Sequence, residues 1–179
     1  MKLRKGSQDA TGLIFGIVAS KFNKFVTSRL LTECVKALTK AGVTDEAIEV
    51  VRVPGAFEIP LVARQLARSG RFDAVICLGA VIRGDTPHFE YISTEVSRGI
   101  LQASMESNVP VVFGVLTTDT VAQAIERADP TKLNRGADAA KTAIEMVNVM
   151  RLLKKEGNED VPTAASSRRA GRSATRPKR

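Results

Sequence analysis

Two hydrophobic patterns alternate along the chain. Leu13–Ala19 is a continuous apolar run, as expected of a strand buried on both faces. Beyond it, Val26, Leu30, Leu31, Cys34, Val35 and Leu38 repeat at helical spacing over residues 26–41, and Gly42 supplies the stop. Ala47–Val53 reads as a second strand, closed by Pro54-Gly55, and Ile59–Ala67 as a second helix, closed by Gly70. Asp73–Ile82 is a third apolar strand. Pro87 then opens a long helix to about Ser107, at a first position where its missing N–H costs nothing, with Thr86 placed to cap it. Val109–Leu116 is a fourth strand, Val121–Ala128 a short helix and Ala137–Leu153 a long one.

Apolar strands alternating with helices in the order β-α-β-α-β-α-β-α-α predict an α/β fold. It is a three-layer αβα sandwich, with a flavodoxin-like four-stranded parallel sheet flanked by helices. Residues 12–155 form the body, 1–11 an N-terminal arm and 156–179 a tail. The tail is rich in Ala, Ser, Thr and Arg without periodicity, and is expected to be disordered. Ligands of such sheets bind beyond the carboxyl ends of the strands. That directs attention to Ser20–Lys24, Pro54–Glu58, Gly79–His88 and Thr117–Thr120.

Composition narrows the class. The chain has 179 residues, 44% apolar and 26% charged, a globular profile. No apolar run reaches the roughly 18 residues of a bilayer span. The run at Leu13 has no cleavage site after it and reads as a strand rather than a signal peptide, so a cytoplasmic location is expected. Cys34 and Cys77 both sit in apolar patterns and read as buried, reduced thiols. One histidine, His88, makes a structural zinc site improbable, and no metal is expected.

The net charge of +8 is unevenly distributed. Residues 1–5 contribute +3 and residues 154–179 contribute +5, so residues 6–153 balance at zero. Basic ends contact polyanions through counterion release, or serve only as solvated tails. With no Trp and one Tyr, few base-stacking platforms exist, and any nucleic-acid binding is expected to be non-specific and confined to the tail.

The loops carry the candidate chemistry. Phe22 follows a buried strand, where it could stack on a flat heterocycle or cover the helix start. Glu58, after Pro54-Gly55-Ala56-Phe57, can accept hydrogen bonds from a ligand or complement the helix dipole. Gly79-Ala80-Val81-Ile82-Arg83-Gly84-Asp85-Thr86-Pro87-His88 is the most informative stretch. Amides at a helix start hold phosphate or carboxylate without a lysine. His88, on that first turn, can move protons in both directions near neutral pH, or be structural. Phe113 in the fourth strand reads most simply as core, and Arg127 as a solvated helix charge. No dinucleotide fingerprint, P-loop or nucleophile elbow is present.

Taken together these segments resemble the 6,7-dimethyl-8-ribityllumazine synthase family. The matching stretches are Gly16–Ser20 with Phe22-Asn23, Val53–Pro60, Leu78–His88, Phe113–Thr118, Gln123–Ala128, Asn134-x-Gly136 and Ala143–Met146, spanning about residues 12–153. The resemblance implies a transferase of riboflavin biosynthesis that needs no cofactor. It condenses 5-amino-6-(D-ribitylamino)uracil with 3,4-dihydroxy-2-butanone 4-phosphate, releasing phosphate and water. By this likeness Phe22 stacks on the pyrimidine, and Ala56, Phe57 and Glu58 hold the ribityl chain. Ala80, Val81 and Ile82 frame the heterocycle, Asp85 and Thr86 help seat the phosphate, and His88 shuttles protons. A neighbouring subunit lends Phe113 and Arg127, and Arg135 stands where the family has a basic or His residue. The resemblance also implies a homopentamer or an icosahedral shell of pentamers, with riboflavin synthase as a candidate partner.

Some features depart from this pattern. Asp85 would repel a phosphate, so the loop's backbone would have to bind it with that side chain turned away. The polar, basic arm before Gly12 weakens the family's expectation of an extra strand added to the next subunit, and the tail beyond Lys155 exceeds the usual chain end. Two other functions fit the residues: a flavin- or lumazine-binding container that has lost catalysis, and a nucleic-acid role for the basic ends.

Overall fold

A computed structural model describes residues 1–159. Four strands and five helices alternate: β1 (Phe15–Ser20), α1 (Lys24–Lys40), β2 (Ile48–Val53), α2 (Ile59–Arg68), β3 (Ala74–Ile82), α3 (His88–Ser107), β4 (Val111–Thr118), α4 (Val121–Ala128) and α5 (Arg135–Glu159). A single 3₁₀ turn at Asp45–Ala47 precedes β2. The strands pair in parallel in the order β2-β1-β3-β4. This is the flavodoxin-like arrangement expected from the apolar runs.

Side chains of one strand alternate between faces, and both faces of the central strands β1 and β3 are covered, which is why those two are almost wholly apolar, whereas the edge strand β2 carries Glu49 and Arg52. Phe15, Ile17 and Ala19 of β1 join Ile76 and Leu78 of β3, Leu30 and Leu38 of α1, Ala124 of α4 and Ile144 of α5 in one core. Val18, Val75, Cys77 and Val115 join Ile59, Ala63 and Leu66 of α2 and Val96 and Ile100 of α3 in the other. Cys34 and Cys77 are buried free thiols. Burial pushes the Cys34 thiol up to about 12 and raises that of Cys77 as well, so neither is a ready nucleophile.

Several boundaries differ from the sequence reading. β1 begins at Phe15 rather than Leu13. Leu13 is buried in a turn closed by its amide on the Ala10 carbonyl at 3.1 Å. β4 continues to Thr118 because its ladder follows β3 to the Ile82–Thr118 pair. Thr86 does not cap α3: the capping position is Pro87, already at helical φ −65° and ψ −2°, and it makes no side-chain cap bond. Proline's fixed φ moves the helix boundary onto itself and leaves Thr86 outside.

The last helix also differs from expectation. α5 starts at Arg135, where Asn134 at φ 41° accepts the Ala137 amide at 3.2 Å. It then runs past Leu153 and four residues into the segment assigned to the tail. Gly157 was read as part of that tail, but one glycine costs a helix only about 1 kcal/mol. The rest of the expected disordered tail, 160–179, lies outside the described residues. The N-terminal arm forms no strand and lies along α5. Asn148 donates to the Ser7 and Asp9 carbonyls at 3.0 and 2.9 Å, and Gln8 donates to the Lys141 carbonyl at 3.2 Å.

α1 and α5 approach closely at Gly136, where an added Cβ would collide with the Leu30 carbonyl. Replacing Gly136 by Ala must therefore push the start of α5 off α1. Urea denaturation of Gly136→Ala should show a loss of about 1–3 kcal/mol, the usual cost of overpacking.

Candidate active site

The carboxyl ends of β1, β2 and β3 share one rim, and three loops leave it together. Past β1 the chain keeps pairing: the Lys21 amide donates to the Val53 carbonyl at 2.8 Å and the Phe22 amide to the Pro54 carbonyl at 3.0 Å. Asn23 then turns through the left-handed region at φ 53°, a conformation Asn tolerates better than most residues. Its side-chain amide donates to the Ala80 carbonyl at 2.9 Å, tying the first loop to the end of β3. Phe22 is thereby held outward with 71% of its surface exposed.

The second loop is a tight turn. The Gly55 amide donates to Glu58 Oε2 at 2.8 Å, and the Ile59 amide to the Ala56 carbonyl at 3.1 Å. One oxygen of Glu58 thus fixes the turn, and the exposed carboxylate keeps acceptor capacity for a ligand. Ala80, Val81 and Ile82 are the last residues of β3, where the apolar run to Ile82 puts them. The third loop begins after Arg83, whose amide extends the β3–β4 ladder to the Thr118 carbonyl at 2.9 Å. Among the described residues the amides of Gly84, Asp85 and Thr86 have no hydrogen-bond partner.

These loops enclose a cleft of about 620 Å³. Phe22, Ala56, Phe57, Glu58, Ala80, Val81, Ile82, Thr86 and His88 all line it, as do Asn23, Gly55, Gly84, Phe89 and Ile92. Of the last five, Asn23, Gly55 and Gly84 fall in the motifs of the sequence reading without being assigned to the site, and Phe89 and Ile92 were not singled out. Helical spacing from His88 could have found Ile92, which falls on the same face one turn on. The Asn23 role depends on where the Ala80 carbonyl lies, which no local signal reveals. His88 is exposed at the start of α3.

Four candidates lie elsewhere in the chain. Asp85 is exposed on the third loop but is not part of the cleft wall. Phe113 pairs opposite Cys77 on the edge strand β4 and is 45% exposed, so its reading as core is corrected: an edge strand lacks the neighbour that would cover it. It lines a second cavity of about 450 Å³ with Arg135, Asp138, Ala139 and Thr142. Arg135 is paired to Asp138 at 3.1 Å. Arg127 is half-buried on α4 and donates to the Gln123 carbonyl of its own helix at 3.2 Å. The fourth loop, Thr117–Thr120, forms no wall of the cleft.

The cleft offers an aromatic face, a carboxylate, strand-end backbone groups, free amides and one imidazole. That set suits a flat polar heterocycle beside a small anion, with proton transfer between them. Among the described residues no group of three His, Cys, Asp or Glu side chains could hold a metal ion. No helix there is long and apolar enough to cross a membrane. The tie from Asn23 is open to test. Asn23→Ala should lower stability by about 1–2 kcal/mol in urea melts, through the lost hydrogen bond and the strained φ, while Asn23→Gly should lose less.

A family model described as 6,7-dimethyl-8-ribityllumazine synthase matches residues 12–151. A protein of Syntrophus aciditrophicus (strain SB) named 6,7-dimethyl-8-ribityllumazine synthase is 60% identical over 147 residues, covering 82% of this chain and 96% of that protein. The matched span takes in all four strands and every wall of the cleft. The chain therefore belongs to the 6,7-dimethyl-8-ribityllumazine synthase family, transferases of riboflavin biosynthesis.

Proposed function

We propose that this cleft condenses 5-amino-6-(D-ribitylamino)uracil with 3,4-dihydroxy-2-butanone 4-phosphate, releasing phosphate and water. The observation that carries the reading is the meeting of Phe22, Glu58, His88 and the third loop in one cleft. The pyrimidine stacks on Phe22, with its edges on the backbone of Ala80, Val81 and Ile82. The ribityl hydroxyls reach Glu58 and the turn at Ala56 and Phe57. The phosphate sits at the amides of Gly84, Asp85 and Thr86, next to the start of α3, where the helix dipole favours an anion. The exposed Asp85 carboxylate, off the cleft wall, leaves that seat to the backbone.

The chemistry is a sequence of proton moves. An amine of the pyrimidine attacks the ketone, and the resulting carbinolamine loses one water to give an imine. Proton removal beside the imine expels phosphate, with the C–O bond electrons leaving on the phosphate oxygen. The enol left behind takes a proton on carbon and becomes a ketone, which the second amine attacks to close the ring with loss of another water. These steps take protons from carbon, nitrogen or oxygen and return them to oxygen or carbon, and this reading assigns that traffic to His88. Holding the two substrates side by side is worth several kcal/mol by itself.

Phe113, Arg127 and Arg135 serve the cleft of a neighbouring copy. Their separation from their own cleft, and the exposure of Phe113 on an edge strand, support a site shared between chains. In this reading Arg127 completes the phosphate seat and Phe113 covers the ring. The assembly is a homopentamer or an icosahedral shell of pentamers, in the cytoplasm, with riboflavin synthase as a candidate partner.

Lumazine fluorescence on mixing the two substrates tests the activity. Binding without product would sink it. His88→Ala should slow turnover by about 10²- to 10⁴-fold while the native particle mass stays constant. Subunits carrying His88→Ala or Arg127→Ala should each be inactive alone and regain turnover when unfolded and reassembled together; no recovery would place both residues in one chain's site.

A further inference from the structure

Arg83 stands one residue beyond β3 and lines no part of the cleft. Its side chain nevertheless holds three elements. Nε donates to Asp119 Oδ1 at 2.7 Å, and Nη1 donates to Glu90 Oε1 at 2.5 Å. The guanidinium carbon lies 4.3 Å from the centroid of the Phe89 ring, in cation–π contact. Asp119 follows β4, while Phe89 and Glu90 belong to the first turn of α3, directly after His88.

The start of α3 needs such a hold. Its capping residue, Pro87, has no side chain able to bond the free amides. Among the described residues no side-chain hydrogen bond fixes residues 84–89, and that span joins a strand end to the helix that carries His88. Arg83 closes this loop on itself by reaching from residue 83 to residue 90. The other end of the strap is rigid: the Asp119 amide donates to Gln123 Oε1 at 3.0 Å, Thr120 caps α4 by accepting the Gln123 amide at 3.2 Å, and the Arg83 amide is bonded to the Thr118 carbonyl.

We propose that Arg83 is a positioning residue whose guanidinium straps the first turn of α3 to the β4–α4 loop and so fixes His88 and Phe89 over the cleft. The inference rests on the reading of His88 as the proton shuttle. One exposed ion pair contributes little. Here a planar, rigid fork holds two carboxylates and a ring at once, so its geometry matters more than its charge. A displacement of His88 by about 1 Å is enough to cost a hundredfold in rate.

The test measures kcat and both KM values for Arg83→Met, Arg83→Lys and Glu90→Gln, each with and without His88→Ala. Arg83→Met should lower kcat by about ten- to a hundredfold. Glu90→Gln should lower it less, and Arg83→Lys should recover only part of the loss. Added to His88→Ala, each change should have little further effect, because the strap acts through the imidazole. A wild-type kcat in Arg83→Met overturns the proposal, and so does an equal fall with and without His88. His88→Ala alone reads the shuttle assignment separately. Should Arg83→Met fail to fold, Glu90→Gln and Asp119→Asn cut the same strap from its far ends and decide the question by the same comparison.

Discussion

Parallel pairing of β3 with both β1 and β4 is the constraint on which the rest of the molecule depends. A parallel strand cannot return through a hairpin, so each must cross over through a helix. All four carboxyl ends therefore emerge on one rim, and each is followed by a loop and a helix start. Loops from distant parts of the sequence are thereby brought together before any contact between them forms. The buried apolar strands supply most of the energy of this arrangement.

What the rim lacks in hydrophobic packing is replaced by specific polar ties. The Asn23 amide reaches the Ala80 carbonyl near the end of β3, and Glu58 folds back on Gly55. Arg83 joins the α3 start to the loop after β4. Each tie spans two loops or closes one, and each leaves Phe22 or His88 facing the cleft. Exposed aromatic and titratable groups can thus be held in place while their own side chains stay free for a ligand.

Much of this was legible in the sequence. Strand and helix types followed from apolar runs and spacing, because burial on both faces leaves a strong local signal. The loops Pro54–Glu58 and Gly84–His88 were recognisable because Gly and Pro punctuate strand ends. Properties set by strand order were not legible. The exposure of Phe113 follows from β4 being an edge strand, and its apolar neighbours in sequence look the same either way. The tie from Asn23 joins residues 57 positions apart. The extent of α5 and the cap of α3 turned on small local preferences, where one proline or glycine shifts a boundary. Arg83 carries no local signal of its role because its partners come from two other elements.

The sheet also partitions the interior. The core under α1, α4 and α5 shares no side chain with the core under α2 and α3. Helices α2 and α3, whose starts form much of the cleft wall, rest on the second core alone. The first core, which also carries the N-terminal arm on α5, works as a foundation. That foundation also reaches the rim, because Ala80 belongs to it and Ile82 packs on it while both line the cleft, so repacking beneath α1 and α5 would be felt at the binding surface through the end of β3.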